Sequence, residues 1–259
     1  MNKDGAFQII TFYEFKNFAD EKLLEIKSSA RAAMREHSIF GTIILAREGF
    51  NATVLGAPKD VEKFVAEAEK ILDTRINYKS SFHAESPFRR VKVKIKPEIV
   101  TLKQSVKIEK AKGETRAVAS EWNKIISDAE TLVLDARNDY EFRVGTFRGA
   151  VNPRTEKFSD LPAFVEKNLN PQTHKKIAMF CTGGVRCEKF APYLLSLGFE
   201  TVYHLDGGIL KYLEETPEDE SLWTGECFVF DERVSVDENL RKGSEKDLSA
   251  GVKATVKSK

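Results

Sequence analysis

The apolar run Ile177–Phe180 stops at Cys181, and Thr182, Gly183 and Gly184 lead at once into a helix-like pattern. A short buried strand that feeds a helix through a tight glycine turn belongs to a parallel α/β sheet. The flanking chain repeats the theme. TLVLDAR (131–137) and TVYHL (201–205) read as further strands, and SDLPAFVEKNL (159–169) and ILKYLEE (209–215) as helices. Ser159 is the expected cap of the first of these, with Pro162 in its first turn. The helix after the cysteine loop is expected to end at Gly198.

The first hundred residues follow another order. FQIITFYEF (7–15) is rich in aromatic and β-branched residues and predicts a strand. Leu23, Ile26, Ala30, Ala33 and Met34 recur near a 3.6 period and predict a helix, with Asp20 as its cap. FGTIILAREGFNATVLG (40–56) predicts a hairpin turning around Glu48-Gly49-Phe50-Asn51. Val61, Phe64, Val65, Ala68, Ile71 and Leu72 mark one face of a second helix opened by Pro58. RVKVKIKPEI then alternates Val91, Val93 and Ile95 with Lys92, Lys94 and Lys96 and predicts the last strand. That β-α-β-β-α-β order is the ferredoxin-like pattern. The fold class is therefore an α+β N-terminal domain followed by an α/β domain. The expected limits are 1–97 for the first domain, 98–117 for a basic linker, 118–218 for the second domain and 219–259 for a C-terminal extension. That extension is expected to be mobile after about residue 236, where the chain turns polar.

Bulk properties narrow the class further. No run approaches ~18 apolar residues, so no membrane span or membrane partner is expected. MNKDGAFQIITFYEF lacks the pattern of a secretory signal. Three cysteines, Cys181, Cys187 and Cys227, make no even disulfide framework, which points to the cytoplasm. The four histidines are scattered and no Cys-x-x-Cys occurs, so no metal site is expected.

The chemistry concentrates at Cys181. In a parallel sheet, sites form at the carboxyl ends of strands. The backbone of Thr182, Gly183, Gly184 and Val185 can turn its N–H groups toward the sulfur. The helix that follows presents its positive end, and Arg186 adds a permanent charge. These effects favour a thiolate, so Cys181 is expected to be an accessible, low-pKa catalytic cysteine with Arg186 as its partner. A packing cysteine is the competing reading, but it needs neither two adjacent glycines nor an arginine. Cys187 reads equally well as a resolving thiol and as a packing residue.

Charge is uneven along the chain. From Arg89 to Arg116 ten Lys/Arg face three Glu, a net charge of +7 within a chain of net charge +1. Arg89, Arg90, Lys92, Lys94 and Lys96 are the candidates for contacts to a phosphate backbone. Phe82 and Phe88 lie close enough in sequence to stack on bases or to serve the core. A solvated face, or lysines that guard a sheet edge from aggregation, is the plainer alternative.

Four residues separate Cys181 from Arg186, one fewer than in cysteine phosphatases, and a smaller loop suits a single terminal sulfur. Over 118–216, LDARNDYEFRVGTFRGAVN, FCTGGVRCEKF and VYHLDGGILKY resemble the rhodanese domain. The resemblance implies a persulfide-bearing role for Cys181. Asp135 and Arg137 match its Asp-x-Arg element and read as a structural ion pair. Gly207 and Gly208 match its last glycine turn and read as backbone geometry. With LAREGFNATVLG, RRVKVKIKPEIVTL and GECFVFDERVSV added, the chain up to about residue 236 resembles the bacterial rhodanese-containing family that hydroxylates the wobble uridine of tRNA with oxygen. This implies a ferredoxin-like or acylphosphatase-like N-terminal domain, tRNA as partner, O2 as co-substrate and 5-hydroxyuridine as product. Many relatives continue into a cysteine-rich segment, whereas this chain has no cysteine after Cys227. No cofactor is identifiable, and neither a two-histidine–carboxylate set nor a flavin fingerprint is evident. The electron donor is unassigned, and no obligate protein partner is indicated. A sulfurtransferase working through a Cys181 persulfide is the alternative, and a non-enzymatic redox-sensing or RNA-binding adaptor the second.

Overall fold

The structure is a computed structural model, and it describes residues 7–108 and 116–245. Two compact units divide between Thr101 and Leu102.

The first unit runs β1 (Phe7–Phe15), α1 (Asp20–Glu36), β2 (Phe40–Ala46), β3 (Gly49–Gly56), α2 (Pro58–Leu72), β4 (Lys79–His83) and β5 (Val91–Ile95). Its sheet has the order β4-β1-β3-β2-β5. The first four strands give the ferredoxin-like arrangement. The fourth, however, is Lys79–His83, antiparallel to β1, and not the alternating lysine segment. Val91–Ile95 is a fifth strand, parallel to β2 at the opposite edge. Ile10, Phe12, Ile43, Leu45, Phe50, Ala52, Val54 and Val93 pack with the buried stripes of α1 and α2 in one core. The α1 stripe, Leu23, Ile26, Ala30, Ala33 and Met34, is the one its periodicity predicts. Asp20 is the first residue of α1 and not its cap; Ala19 holds that place. Asp20 sits where a carboxylate suits the helix dipole.

The hairpin turn also differs from expectation. Ala46 pairs with Gly49, so Arg47 and Glu48 form the turn, and Phe50 and Asn51 lie in the strand. Gly49 is required there. Its φ is +141°, and an added Cβ would lie 2.0 Å from the Glu14 carbonyl oxygen on the neighbouring β1.

The second unit contains β6 (Arg116–Ala117), α3 (Ala119–Ile126), β7 (Thr131–Asp135), α4 (Asp139–Val144) and β8 (Gly145–Phe147). It continues with α5 (Leu161–Asn168), β9 (Lys176–Phe180), α6 (Val185–Ser196), β10 (Thr201–Leu205) and α7 (Gly208–Glu215). Three short strands close it, β11 (Trp223–Gly225), β12 (Cys227–Phe228) and β13 (Ser235–Val236). A parallel sheet of order β6-β10-β9-β7 forms its centre. Residues 116–117, expected in the linker, are thus part of this sheet. Residues 109–115 of that linker, with Lys110 and Lys112, lie outside the described residues. Ser159 sits in a short 3-10 turn, and Asp160 takes the capping position of α5.

The C-terminal extension is integral to this core. Trp223, Cys227, Val229 and Val236 are buried with Trp122, Phe147, Phe180 and Tyr212. The ring of Trp223 meets Phe147 edge-on at 5.1 Å. Hydrogen-bonded chain continues past Val236, beyond which mobility is expected from the sequence. The Glu226 carboxylate accepts from Ser235 Oγ at 2.5 Å and from the Ser244 N–H at 2.8 Å. Residues 246–259 lie outside the described residues. Among the described residues no helix is long and apolar enough to cross a membrane.

Candidate active site

The candidate site forms where β9 ends. Cys181 follows the last strand residue, and Gly184, at φ +98°, caps the start of α6. The left-handed backbone there suits glycine and brings the Gly184 N–H to 3.2 Å from Cys181 Sγ. From the other side the start of α7 supports the loop. Ile209 and Leu210 N–H groups donate to the carbonyls of Cys181 and Thr182 at 3.0 and 3.1 Å. Gly208 makes this approach possible. At φ +68°, an added Cβ would lie 2.4 Å from the Cys181 carbonyl oxygen and 2.7 Å from the Gly184 nitrogen. The Gly207–Gly208 pair is therefore backbone geometry in direct support of the loop.

Cys181 is not accessible, contrary to expectation: it is 1% exposed. It is nevertheless the acidic thiol of the site. Burial alone would hinder ionisation. A hydrogen bond from the Cys187 thiol, the charge of Arg186 and the N–H groups of Cys187 and Gly184 outweigh it and bring the pKa down to about 5. Cys187 moves the opposite way. Burial, its hydrogen bond to Cys181 and the negative charge there push its thiol well above the usual range. The two sulfurs thus differ: its neighbours favour a thiolate at Cys181 despite burial, while Cys187 keeps its proton and donates a hydrogen bond to it.

Arg186 does more than face the sulfur. Its Nη1 and Nη2 donate to Glu141 Oε2 and Oε1, both at 2.7 Å, in a bidentate pair buried from solvent. Nη2 also reaches Thr182 Oγ1 at 3.2 Å, and the Thr182 hydroxyl donates to Glu141 Oε1 at 3.3 Å. Glu141 sits in the first turn of α4, and its Oε2 accepts the Asn138 N–H at 3.1 Å. Sequence reasoning missed Glu141. The only local signal was Asn138-x-x-Glu141, a capping-box pattern.

Beside this pair lies a second buried one. Arg137 donates from Nε and Nη2 to Asp135 at 2.9 and 2.6 Å, and Nη2 also meets the Gly145 carbonyl at 2.6 Å. Its guanidinium lies 5.2 Å from the Trp223 ring centroid. Asp135 and Arg137 therefore tie β7 to β8 and to the C-terminal extension, a structural arrangement. Cys227 is buried near these charges. Burial comes first in pushing its thiol up to about 12. A cleft of about 860 Å³, lined by residues including Asp139, Arg143, Asn152, Arg154 and Thr224, opens beside α4; neither Cys181 nor Arg186 lines it.

The basic candidates lie in the first unit. Lys92, Lys94 and Lys96 are exposed, the first two on the edge strand β5, and Arg89 and Arg90 are exposed just before it. Of the nearby aromatics, Phe82 is exposed and Phe88 is half-buried.

These features define a two-module protein, a ferredoxin-like α+β domain followed by an α/β domain with a cysteine loop. Residues 7–99 match the UPF0176 acylphosphatase-like domain and residues 118–215 the rhodanese-like domain. The chain is 51% identical over 212 residues to a protein of Teredinibacter turnerae named tRNA uridine(34) hydroxylase, covering 81% of this chain and 66% of that relative. It belongs to the same rhodanese-containing family. Two solved structures are more distant. The rhodanese-like domain of an Anabaena sp. protein is 21% identical, covering 43% of this chain and 80% of that one at a TM-score of 0.35. An acylphosphatase from Coxiella burnetii is 11% identical, covering 36% and 99% at a TM-score of 0.28.

Proposed function

We propose that this protein is a cytoplasmic tRNA-modifying enzyme that converts wobble uridine to 5-hydroxyuridine. The observation that carries this reading is the 51% identity to a relative named tRNA uridine(34) hydroxylase. The chain spans 66% of that relative's length, so the activity is carried over as a proposal. The site supplies suitable chemistry. A thiolate at Cys181 is a strong nucleophile, and addition of its sulfur to C6 of uracil would make C5 electron-rich. The net reaction places one atom of O2 at C5 and reduces the other to water, with two electrons from an external reductant. Loop N–H groups and Arg186 would hold the negative charge that the sulfur carries before and after each cycle.

Purified protein, tRNA, ¹⁸O2 and an added two-electron reductant test the reaction. The expected product nucleoside carries one labelled oxygen. A second reading rests on the same loop: a thiolate held by N–H groups can carry a sulfane sulfur. With thiosulfate added as sulfane-sulfur donor, a thiolated nucleoside without label, or thiocyanate formed from cyanide with no change in the tRNA, would establish this sulfurtransferase reading instead.

The lysine edge supplies a means of holding RNA. Replacing Lys92, Lys94 and Lys96 together by Ala leaves Val91 and Val93 in place, so the fold is expected to persist. Binding of tRNA is expected to weaken. Its logarithmic salt slope should shrink by about 2–3 if each lysine neutralises one phosphate. An unchanged slope would leave these lysines as guards of the β5 edge.

A further inference from the structure

Phe230 is a large apolar ring left 63% exposed. It lies in the turn between β12 and β13. Val229 N–H donates to the Val234 carbonyl at 2.8 Å, and Val234 N–H to the Asp231 carbonyl at 3.1 Å. The Asp231 carboxylate takes the Arg233 N–H, Nε and Nη2 at 3.0, 2.8 and 2.6 Å. This ion pair is itself buried. Below the turn, Phe228 supports Phe230 edge-on at 5.2 Å and meets Tyr140 at 5.1 Å. Tyr140 adjoins Glu141, the partner of Arg186. The Arg186 guanidinium lies 5.8 Å from the Phe230 ring centroid. The ring therefore stands beside the cation of the Cys181 loop. At Gly183, in the middle of that loop, an added Cβ would meet nothing within 4 Å, so the loop opens outward there.

We infer that Phe230, backed by Phe228 and Tyr140, is the platform on which the substrate pyrimidine stacks at the entrance to the Cys181 loop. This rests on the tRNA reading above. A base can reach a buried sulfur only after leaving its own stack, and that unstacking must be offset by new contacts. An aromatic face offers the needed contact to any base. Burying it on RNA binding would also remove the exposed apolar area.

Fluorescence anisotropy with an anticodon stem-loop RNA tests this. Two RNAs are compared, one with uridine at the wobble position and one abasic there. Phe230→Ala is expected to weaken binding of the uridine RNA about ten-fold, in the range of one lost base–aromatic stack. Phe230→Trp should retain the affinity and Phe230→Leu should not. Wild-type protein should bind the abasic RNA as weakly as Phe230→Ala binds either RNA. Independent, additive losses from the variant and the abasic site would overturn the assignment. So would full affinity in Phe230→Leu, which would make the ring a plain apolar contact for RNA or a protein. Wild-type protein that binds neither RNA would remove the tRNA reading itself, and this inference with it.

Discussion

Glu141→Ala is expected to destabilise the second unit by about 3–5 kcal/mol, the range found when one member of a buried ion pair is removed. The carboxylate is wholly buried and accepts four hydrogen bonds, two from Arg186 and one each from Thr182 and the Asn138 backbone. Without it, the Arg186 charge stays in the interior without its carboxylate partner, held by the Thr182 hydroxyl and the Cys181 sulfur. Urea unfolding should show the loss as a lower midpoint at unchanged m-value. Glu141→Gln keeps the shape while losing the charge, and should fall between the two. A loss under about 1 kcal/mol would put the pair in the class of exposed ion pairs, which contribute little. The same pair sets an acid limit. Burial opposes ionisation of Glu141, but Arg186 holds its pKa below the usual 4.5. A carboxylate with a lowered folded pKa stabilises the fold fully above its unfolded pKa. That contribution disappears as pH falls through the folded one. Acid sensitivity from this group therefore lies below about pH 4.5 and should be absent in Glu141→Gln.

Hydrophobic period made most of the architecture legible in the sequence. Helices α1 and α2 show their buried stripes directly, and the strand–glycine–helix turn at Cys181 specifies a parallel sheet. The errors have physical causes. RVKVKIK alternates strictly, while KSSFH at 79–83 does not, so the former looked like the fourth strand. Both are edge strands, and an edge strand is defined by which neighbour takes its hydrogen bonds, not by its own pattern. Glu141 was hidden because α4 has only six residues, too few to show a helical period. Its partner Arg186 is 45 residues away. The extension from Trp223 to Val236 consists of strands of two or three residues. Its contribution comes from single buried side chains, and no local pattern announces those. The burial of Cys181 was equally illegible: the loop that makes the thiolate also encloses it.

Cys181→Ser is expected to reduce activity by on the order of 10³-fold or more, because a serine hydroxyl in this loop has no base to ionise it near neutral pH. The more discriminating variant is Cys187→Ala. In the intact site Cys187 is an un-ionised thiol that donates to Cys181, and its removal takes away a leading cause of the low Cys181 pKa. Iodoacetamide alkylation followed against pH measures this. Burial will make the reaction slow at every pH, yet its midpoint still reports the thiolate fraction. Wild-type protein should titrate near pH 5, and Cys187→Ala at a distinctly higher pH. Arg186→Ala should also raise the midpoint, because it removes the charge next to the sulfur, although the unpaired Glu141 will cost stability as well. A wild-type midpoint near the free-thiol value of ~8.5 would remove the basis for a resident thiolate. The same variants separate the two roles open to Cys187. As a hydrogen-bond donor alone, its loss should lower the rate chiefly on the acid side of the shifted Cys181 pKa, with turnover continuing. As a resolving thiol, its loss should stop the enzyme after one cycle and leave Cys181 oxidised or persulfidated, visible as added mass on that residue.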